Sequence, residues 1–389
     1  MKKISAVLLV LVLVGSVVFA GFTGSATTSL GYNFDTGAYG FTNAKAIDID
    51  VVLHEFLGAS KGEGAIYAEI NASAVLTFDS TTFLSAADNA LDITTKISSA
   101  NIIGDGWKVG ILSANSAPNY ATSSVSMNGD DEYADLQPSS YVAKVAGINV
   151  AMNDYTASLG LIGDAVAGTF SVYGTLTTPT MDLADGLKVN AGGSAKLTDT
   201  TKSGSASVKA AYAAEDYTAS VAADVIYAGG LEADVAVKAA FSPVTVDAYF
   251  ATAERYATAG LTGVLNYLSA KVGVALDQVT LTVTGKDLLN AQDLSVSAKL
   301  AASKELAVTA RGGYVLGTGA WNAGADVVYT AADYTATVNT TYASAGTLAL
   351  TVKAVSTTLV NKATLTAKYT VADILTGKGA LTTEAKIAF

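Results

Sequence analysis

Over Leu231–Phe241 the chain alternates, residue by residue, between an apolar and a polar series. One face carries Leu231, Ala233, Val235, Val237, Ala239 and Phe241; the other carries Glu232, Asp234, Ala236, Lys238 and Ala240. Successive side chains of a β-strand point to opposite faces, so this segment has one dry wall and one wet wall. A helix would need apolar residues three and four apart and would scatter these charges round its surface. The same period of two runs through 47–53, 66–78, 294–300, 306–314, 348–354 and 363–369, and through 381–389 to the final residue. No other feature narrows the fold so much: the chain is expected to be all-β and antiparallel, with roughly 16–24 strands.

What the dry faces pack against follows from their size. They hold mostly Ala and Val, with few Phe or Trp. A soluble core of this extent needs larger side chains to fill it, whereas a wall facing lipid needs no jigsaw packing. Mean hydropathy is high, at +0.38, yet beyond residue 20 no apolar run is long enough for a spanning helix. Aromatic residues fall at strand ends. Tyr217 and Tyr227 share one face around Ala219, Val221, Ala223 and Val225. Ten residues at about 3.3 Å each, tilted by about 40°, cover roughly 25 Å of membrane normal, the height of a barrel's apolar band. Trp321 with Tyr329, and Tyr334 with Tyr342, bracket small apolar residues in the same way. These six and Phe389 are the expected interface aromatics. The expected fold is therefore a closed antiparallel transmembrane β-barrel over residues 21–389. A soluble exported β-rich protein of surface-layer type is the alternative, with one dry face per sheet.

Residues 1–20 read as a signal peptide. Lys2 and Lys3 precede an apolar stretch, and Val18-Phe19-Ala20 offers a small-x-small cleavage site after Ala20. Cysteine is absent, so no disulfide closes the fold. Four prolines against 36 glycines suit many strands joined by short turns. Asp154-Tyr155, Asp216-Tyr217 and Asp333-Tyr334 each open a similar short motif, the last two just after a strand ending in tyrosine. They read as one recurrent hairpin that anchors the short-turn side. Gly229-Gly230 and Ser242-Pro243 are further turn candidates. Longer loops are expected at 79–89, 115–139 and 176–185.

The last segment, Leu381, Thr383, Ala385, Ile387 and Phe389 on one face and Thr382, Glu384, Lys386 and Ala388 on the other, resembles the terminal strand of bacterial outer-membrane β-barrel proteins. The mature chain as a whole resembles porin-like members of that class. The resemblance implies residence in the outer-membrane lipid, recognition of the terminal strand by the barrel-assembly machinery, and the homo-oligomers common among porins. More loosely, Gly64-Ala65-Ile66-Tyr67-Ala68-Glu69-Ile70 and Gly106-Trp107-Lys108-Val109-Gly110-Ile111-Leu112 resemble spirochaete major outer-sheath or surface proteins. Those proteins are associated with pores and adhesion.

Little in the sequence points to catalysis. The single histidine, His54, has no nucleophile or orienting partner singled out beside it. Asp130, Asp131, Glu132 and Asp135 match no EF-hand spacing and read as a solvated loop. The glycine pairs at 192–193 and 312–313 lack a phosphate-loop context and read as turns or strand bends. No cofactor or metal is expected, and a net charge of −11 argues against nucleic acid as a partner. The polar faces place Glu69, Asp224, Glu232, Asp234, Asp247, Asp326 and Glu384 on the expected pore wall, with Lys238, Lys299, Arg311, Lys353, Lys362, Lys368 and Lys386. The two signs balance, so the sequence gives no ion preference. The expected function is a non-enzymatic, porin-like channel for passive diffusion of small hydrophilic solutes or ions. The alternatives are a surface structural protein or adhesin acting through its extracellular loops, and the soluble β-protein named above.

Overall fold

The computed structural model describes residues 22–56, 66–78, 91–111, 114–125, 136–253 and 265–388. Among them are 23 strands and one helix of four residues. In chain order they are β1 (Phe22–Asn33), β2 (Tyr39–Phe56), β3 (Tyr67–Phe78), β4 (Leu91–Gly104), β5 (Trp107–Gly110), α1 (Pro138–Tyr141), β6 (Gly147–Met152), β7 (Tyr155–Asp164), β8 (Thr169–Thr177), β9 (Met181–Ala184), β10 (Leu187–Thr198), β11 (Lys202–Ala213), β12 (Tyr217–Tyr227), β13 (Leu231–Phe241), β14 (Val244–Ala253), β15 (Leu265–Leu276), β16 (Val279–Lys286), β17 (Asp293–Ala301), β18 (Leu306–Val315), β19 (Trp321–Thr330), β20 (Thr335–Ala343), β21 (Leu348–Ser356), β22 (Ala363–Val371) and β23 (Ala380–Ala388). The protein is thus all-β and antiparallel with almost no helix. Its strands fall into two compact units, one of Met1–Ile111, Val328–Thr340 and Thr347–Phe389, the other of Leu112–Val327 and Thr341–Gly346.

In the first unit the ladder runs β21, β22, β23, β1, β2, β3, β4, β5, each strand antiparallel to the next. The first and last strands of the chain are therefore partners, in register from Ser25 opposite Ala388 to Asn33 opposite Ala380. The β1–β2 turn is clasped to the loop before β23. Asp35 accepts from the Lys378 amide at 2.6 Å and the Gly379 amide at 2.9 Å, and Phe34 N–H donates to the Gly379 carbonyl at 2.8 Å. These hydrogen bonds hold the Asp35 carboxyl below its ordinary range. Asp373, in the same loop, is lowered likewise by the Leu348 amide, the Thr376 hydroxyl and the Leu375 amide.

In the second unit the ladder runs β6, β7, β8, β10 and then in chain order to β18. The loop expected at 176–185 is instead an interrupted strand: β8 and β9 both pair with β10, on either side of a short break. Counting them as one turns 23 strands into 22. The turns 153–154, 185–186, 214–216, 242–243, 277–278 and 302–305 lie at one edge of this ladder, and the Asp-Tyr motifs at 154–155 and 216–217 lie with them. Asn153 and Asp154 both take positive φ, of 48° and 66°, as the tight two-residue hairpin with the right twist requires. The segment that leads into β6 arrives at the opposite edge.

The alternation sorts the side chains of this unit into two environments. On the apolar series Val221, Leu231, Val235 and Val237 are exposed, at 50%, 71%, 37% and 41%. Exposed aromatic residues close that face at both ends. Tyr155, Tyr212, Tyr217 and Phe241 stand at the short-turn edge, and Phe170, Tyr227, Tyr314, Trp321 and Tyr342 at the other. Tyr212 and Tyr217 lie 5.4 Å apart, Trp321 and Tyr342 5.8 Å. Soluble monomers rarely expose so many large apolar side chains on one face. On the polar series, by contrast, Asp224, Asp234 and Tyr249 are fully or almost fully buried.

Candidate functional site at the polar wall

Those buried polar residues are covered by residues 114–125 and 136–142. This is part of the stretch expected as a longer loop at 115–139; its described residues 115–125 are a loop, and they pack on the polar wall. The chain crosses the polar wall strand by strand. Asn115 N–H donates to Ser158 Oγ of β7 at 3.0 Å, and its carbonyl accepts from Tyr173 Oη of β8 at 2.8 Å. Pro118 sits on Gly192 of β10, and its carbonyl accepts from Ser207 Oγ of β11 at 3.0 Å. The amides of Tyr120 and Ala121 donate to the Asp224 carboxylate of β12, at 3.1 and 2.9 Å to Oδ2. Ser123 Oγ meets Ser269 Oγ of β15 at 3.3 Å.

Eight residue steps from Asn115 to Ser123 reach about 26–29 Å when extended. The wall beneath them spans seven strand intervals, about 34 Å of arc at 4.8 Å each. With the reach of the Ser158, Ser123 and Ser269 side chains added at its ends, a nearly extended segment is long enough to follow the wall from β7 to β15.

The second half of the crossing is anchored on another carboxylate. Leu136 N–H donates to Tyr249 Oη at 2.8 Å, and Tyr249 Oη donates to Asp234 Oδ2 at 2.8 Å. Around these bonds a dry cluster forms from Ala121, Leu136, Ala222, Ile226, Ala236, Tyr249, Ala251 and Tyr267. Val142 and Ala114 pack on Tyr173 in a smaller one. Burial, with the nearby Asp224 charge second, raises the Tyr120 phenol above its ordinary value. The glycine pair at 192–193 lies inside β10 and not at a turn. Its use is close approach: a Cβ on Gly192 would lie 2.7 Å from Pro118 Cγ.

The other residues expected on the wall fall into three groups. Some are ion-paired or hydrogen-bonded: Arg311 holds Asp326 with Nε–Oδ2 at 3.1 Å and Thr341 Oγ1 at 2.9 Å, Lys238 stands 3.9 Å from Asp247, and Glu232 accepts from Thr252 at 2.7 Å. Glu69, in the first unit, accepts from Asn71 at 3.2 Å and is in register with His54. Lys299, Lys353, Lys368, Glu384 and Lys386 are exposed, with Lys353 directly opposite Lys368. Lys362 is displaced from the wall: it sits in the turn before β22 with a φ of 60°. Of the expected interface aromatics, Tyr217, Tyr227, Trp321, Tyr329, Tyr334 and Tyr342 are exposed. Tyr329 and Tyr334 lie 6.2 Å apart. Phe389, residues 1–20, the 79–89 loop and the 130–135 acidic cluster lie outside the described residues.

Sequence reasoning passed over a second group of cations. Lys188, Lys209 and Lys271 line a cavity of about 530 Å³ together with Lys238, Asp247 and Ser124. The signal was available, since Val208-Lys209-Ala210 and Ala270-Lys271-Val272 carry the same alternation. No group of metal-ligating side chains is found among the described residues.

No protein-family model matches the chain, and neither does any curated protein. Solved structures do. The chain is similar to a mutant Rhodopseudomonas blastica porin, at 11% identity over 60% of this chain and 98% of that one, with a TM-score of 0.38. The P pilus usher PapC translocation pore matches at 9% identity over 95% and 99%, TM-score 0.39. A mutant ferric enterobactin receptor, PfeA, from Pseudomonas aeruginosa matches at 9% identity over 95% and 81%, TM-score 0.46. The structural matches lie among outer-membrane β-barrel proteins.

Proposed function

We propose that the chain is an outer-membrane channel, a single closed barrel over residues 21–389 through which small hydrophilic solutes or ions diffuse passively. The observation that carries this reading is the two-faced sheet: exposed apolar side chains between two aromatic edges on one side, charged and hydroxyl side chains on the other. A soluble fold would have to cover that apolar face, whereas lipid covers it without further structure. The pairing of β1 with β23 supports a closed ring. In this reading residues 1–20 direct export, β23 is the strand offered to the assembly machinery, and Tyr217, Tyr227, Trp321, Tyr329, Tyr334, Tyr342 and Phe389 sit at the two lipid interfaces. Residues 114–125 and 136–142 lie inside the barrel in this reading and narrow the path. That favours a channel over an adhesin, since these residues are spent on the polar wall. No catalytic role enters the proposal.

Planar-bilayer recording of refolded, heat-modifiable protein tests the reading. Stepwise conductance is expected. Folded protein that inserts without conducting, or that partitions into the aqueous phase without detergent, overturns it.

A further inference from the structure

We propose that the lysine level of β10–β15 is a binding site for small solutes bearing phosphate or carboxylate groups, and that it makes the channel prefer anions although the chain as a whole is acidic. The inference rests on the channel reading above and deepens it. Lys188, Lys209, Lys238 and Lys271 come from β10, β11, β13 and β15 and converge on one cavity. Registers explain the convergence: Lys188 is opposite Ala211, two residues from Lys209 on the same face; Ser220 is opposite Lys238, Lys238 opposite Asp247, and Asp247 opposite Lys271. Four ammonium groups thus stand round a single lining carboxylate. Asp247 lies 3.9 Å from Lys238, and Lys188 has its own partner outside the cavity, Asp182 at 3.6 Å, where both side chains are largely exposed. Among the described residues Lys209 and Lys271 have no ion-pair partner. Ser124 Oγ, on the crossing segment, is buried without a hydrogen-bond partner and lines the same cavity. A hydroxyl and two uncompensated ammonium groups are donors waiting for an acceptor of negative charge.

Elsewhere on the wall of this unit carboxylates already have partners. Asp224 and Asp234 are hydrogen-bonded beneath the crossing segment, and Asp293 and Asp326 are paired with Lys286 and Arg311 at 3.3 and 3.1 Å. Within this unit the wall carboxylates are engaged by the fold while Lys209 and Lys271 stay without an ion-pair partner among the described residues, and charges on the path set ion preference.

The experiment measures reversal potential across a KCl gradient, then current after adding inorganic phosphate or citrate, for the wild type and for the triple variant Lys209→Gln, Lys238→Gln, Lys271→Gln. In parallel, phosphate and citrate binding to the detergent-folded full chain is followed by titration calorimetry, which needs no conductance. The expected result is a chloride-to-potassium permeability ratio above one, current reduced by at least one of the two anions, and loss of both effects and of binding in the triple variant. Reduction by phosphate alone or by citrate alone assigns the ligand class. A conducting wild type that is cation-selective, or a triple variant with unchanged selectivity, overturns the anion site and leaves the channel standing. Folded protein that does not conduct yet binds anion through these lysines overturns the channel and keeps the site. Absence of both overturns both. The single variant Lys304→Gln, in the turn between β17 and β18 and outside the cavity, should leave phosphate block unchanged.

Discussion

Replacing Asp224 by alanine should release the crossing segment. The Asp224 side chain is fully buried and accepts from two amides, those of Tyr120 and Ala121. Without the carboxylate both N–H groups are left in a water-poor layer. Each buried unsatisfied donor costs about 1–3 kcal/mol. Water entering the alanine-sized space recovers part of that, so a net loss of about 2–4 kcal/mol in local stability is expected. At 1.4 kcal/mol per tenfold, the open population of the segment rises roughly 30- to 700-fold. Hydrogen exchange on detergent-folded protein reads this directly. Exchange at the Tyr120 and Ala121 amides should accelerate by that factor, while amides of β17 and β18 stay as they were. Asp224→Asn keeps one acceptor oxygen and should fall between. In bilayers the alanine variant should show larger and noisier conductance steps. The reasoning fails if exchange at residues 120 and 121 changes by less than about threefold, because the hydrogen bonds would then not be what holds the segment.

Gly192→Ala places a Cβ 2.7 Å from Pro118 Cγ; it should raise protease cleavage within 114–125, and Pro118→Ala should restore resistance, a coupling visible in a double-mutant cycle. Val221→Arg, on the exposed apolar face, should cost about 2–4 kcal/mol of folding stability in phospholipid, measured by urea unfolding; a soluble protein would tolerate arginine at a half-exposed valine, so an unchanged midpoint would contradict the lipid-facing assignment. Asp35 is held below its ordinary carboxyl range in the fold, so its clasp is fully present above the unfolded value near pH 3.8 and is lost as pH falls through the lower folded value; amides 378 and 379 should lose exchange protection in that acid window, and in Asp35→Asn their protection should be lower and nearly flat with pH.

On the channel reading proposed above, the alternation is legible because lipid asks only for period-two patterning. A wall that need not interlock with a second layer leaves its signature wholly in the local sequence, as in β13 and β22. Strand number was recoverable to within a few for the same reason, although the pause between β8 and β9 was read as a loop: Thr178-Pro179-Thr180 carries a turn signal that pairing with β10 overrides. The crossing segment was not legible. Asn115-Ser116-Ala117-Pro118-Asn119-Tyr120 has no period and looks like any polar loop. Its anchor, Asp224, lies 104 residues from Tyr120, and nothing local to either announces the other. Which wall carboxylates the fold engages is set by the same non-local bonds, and a count of wall residues does not carry that information.

The pairing of β1 with β23 also ties the two terminal strands to each other. β1 has β2 and β23 as neighbours, and β23 has β22 and β1, so neither terminal strand offers a free edge once both are in place. Without β23, β1 and β22 would each present an unpaired edge, although they lie at opposite ends of the described sequence, and each would be a template for unwanted strand addition. A truncation that removes β23 is therefore felt at β1, more than 300 residues away along the chain.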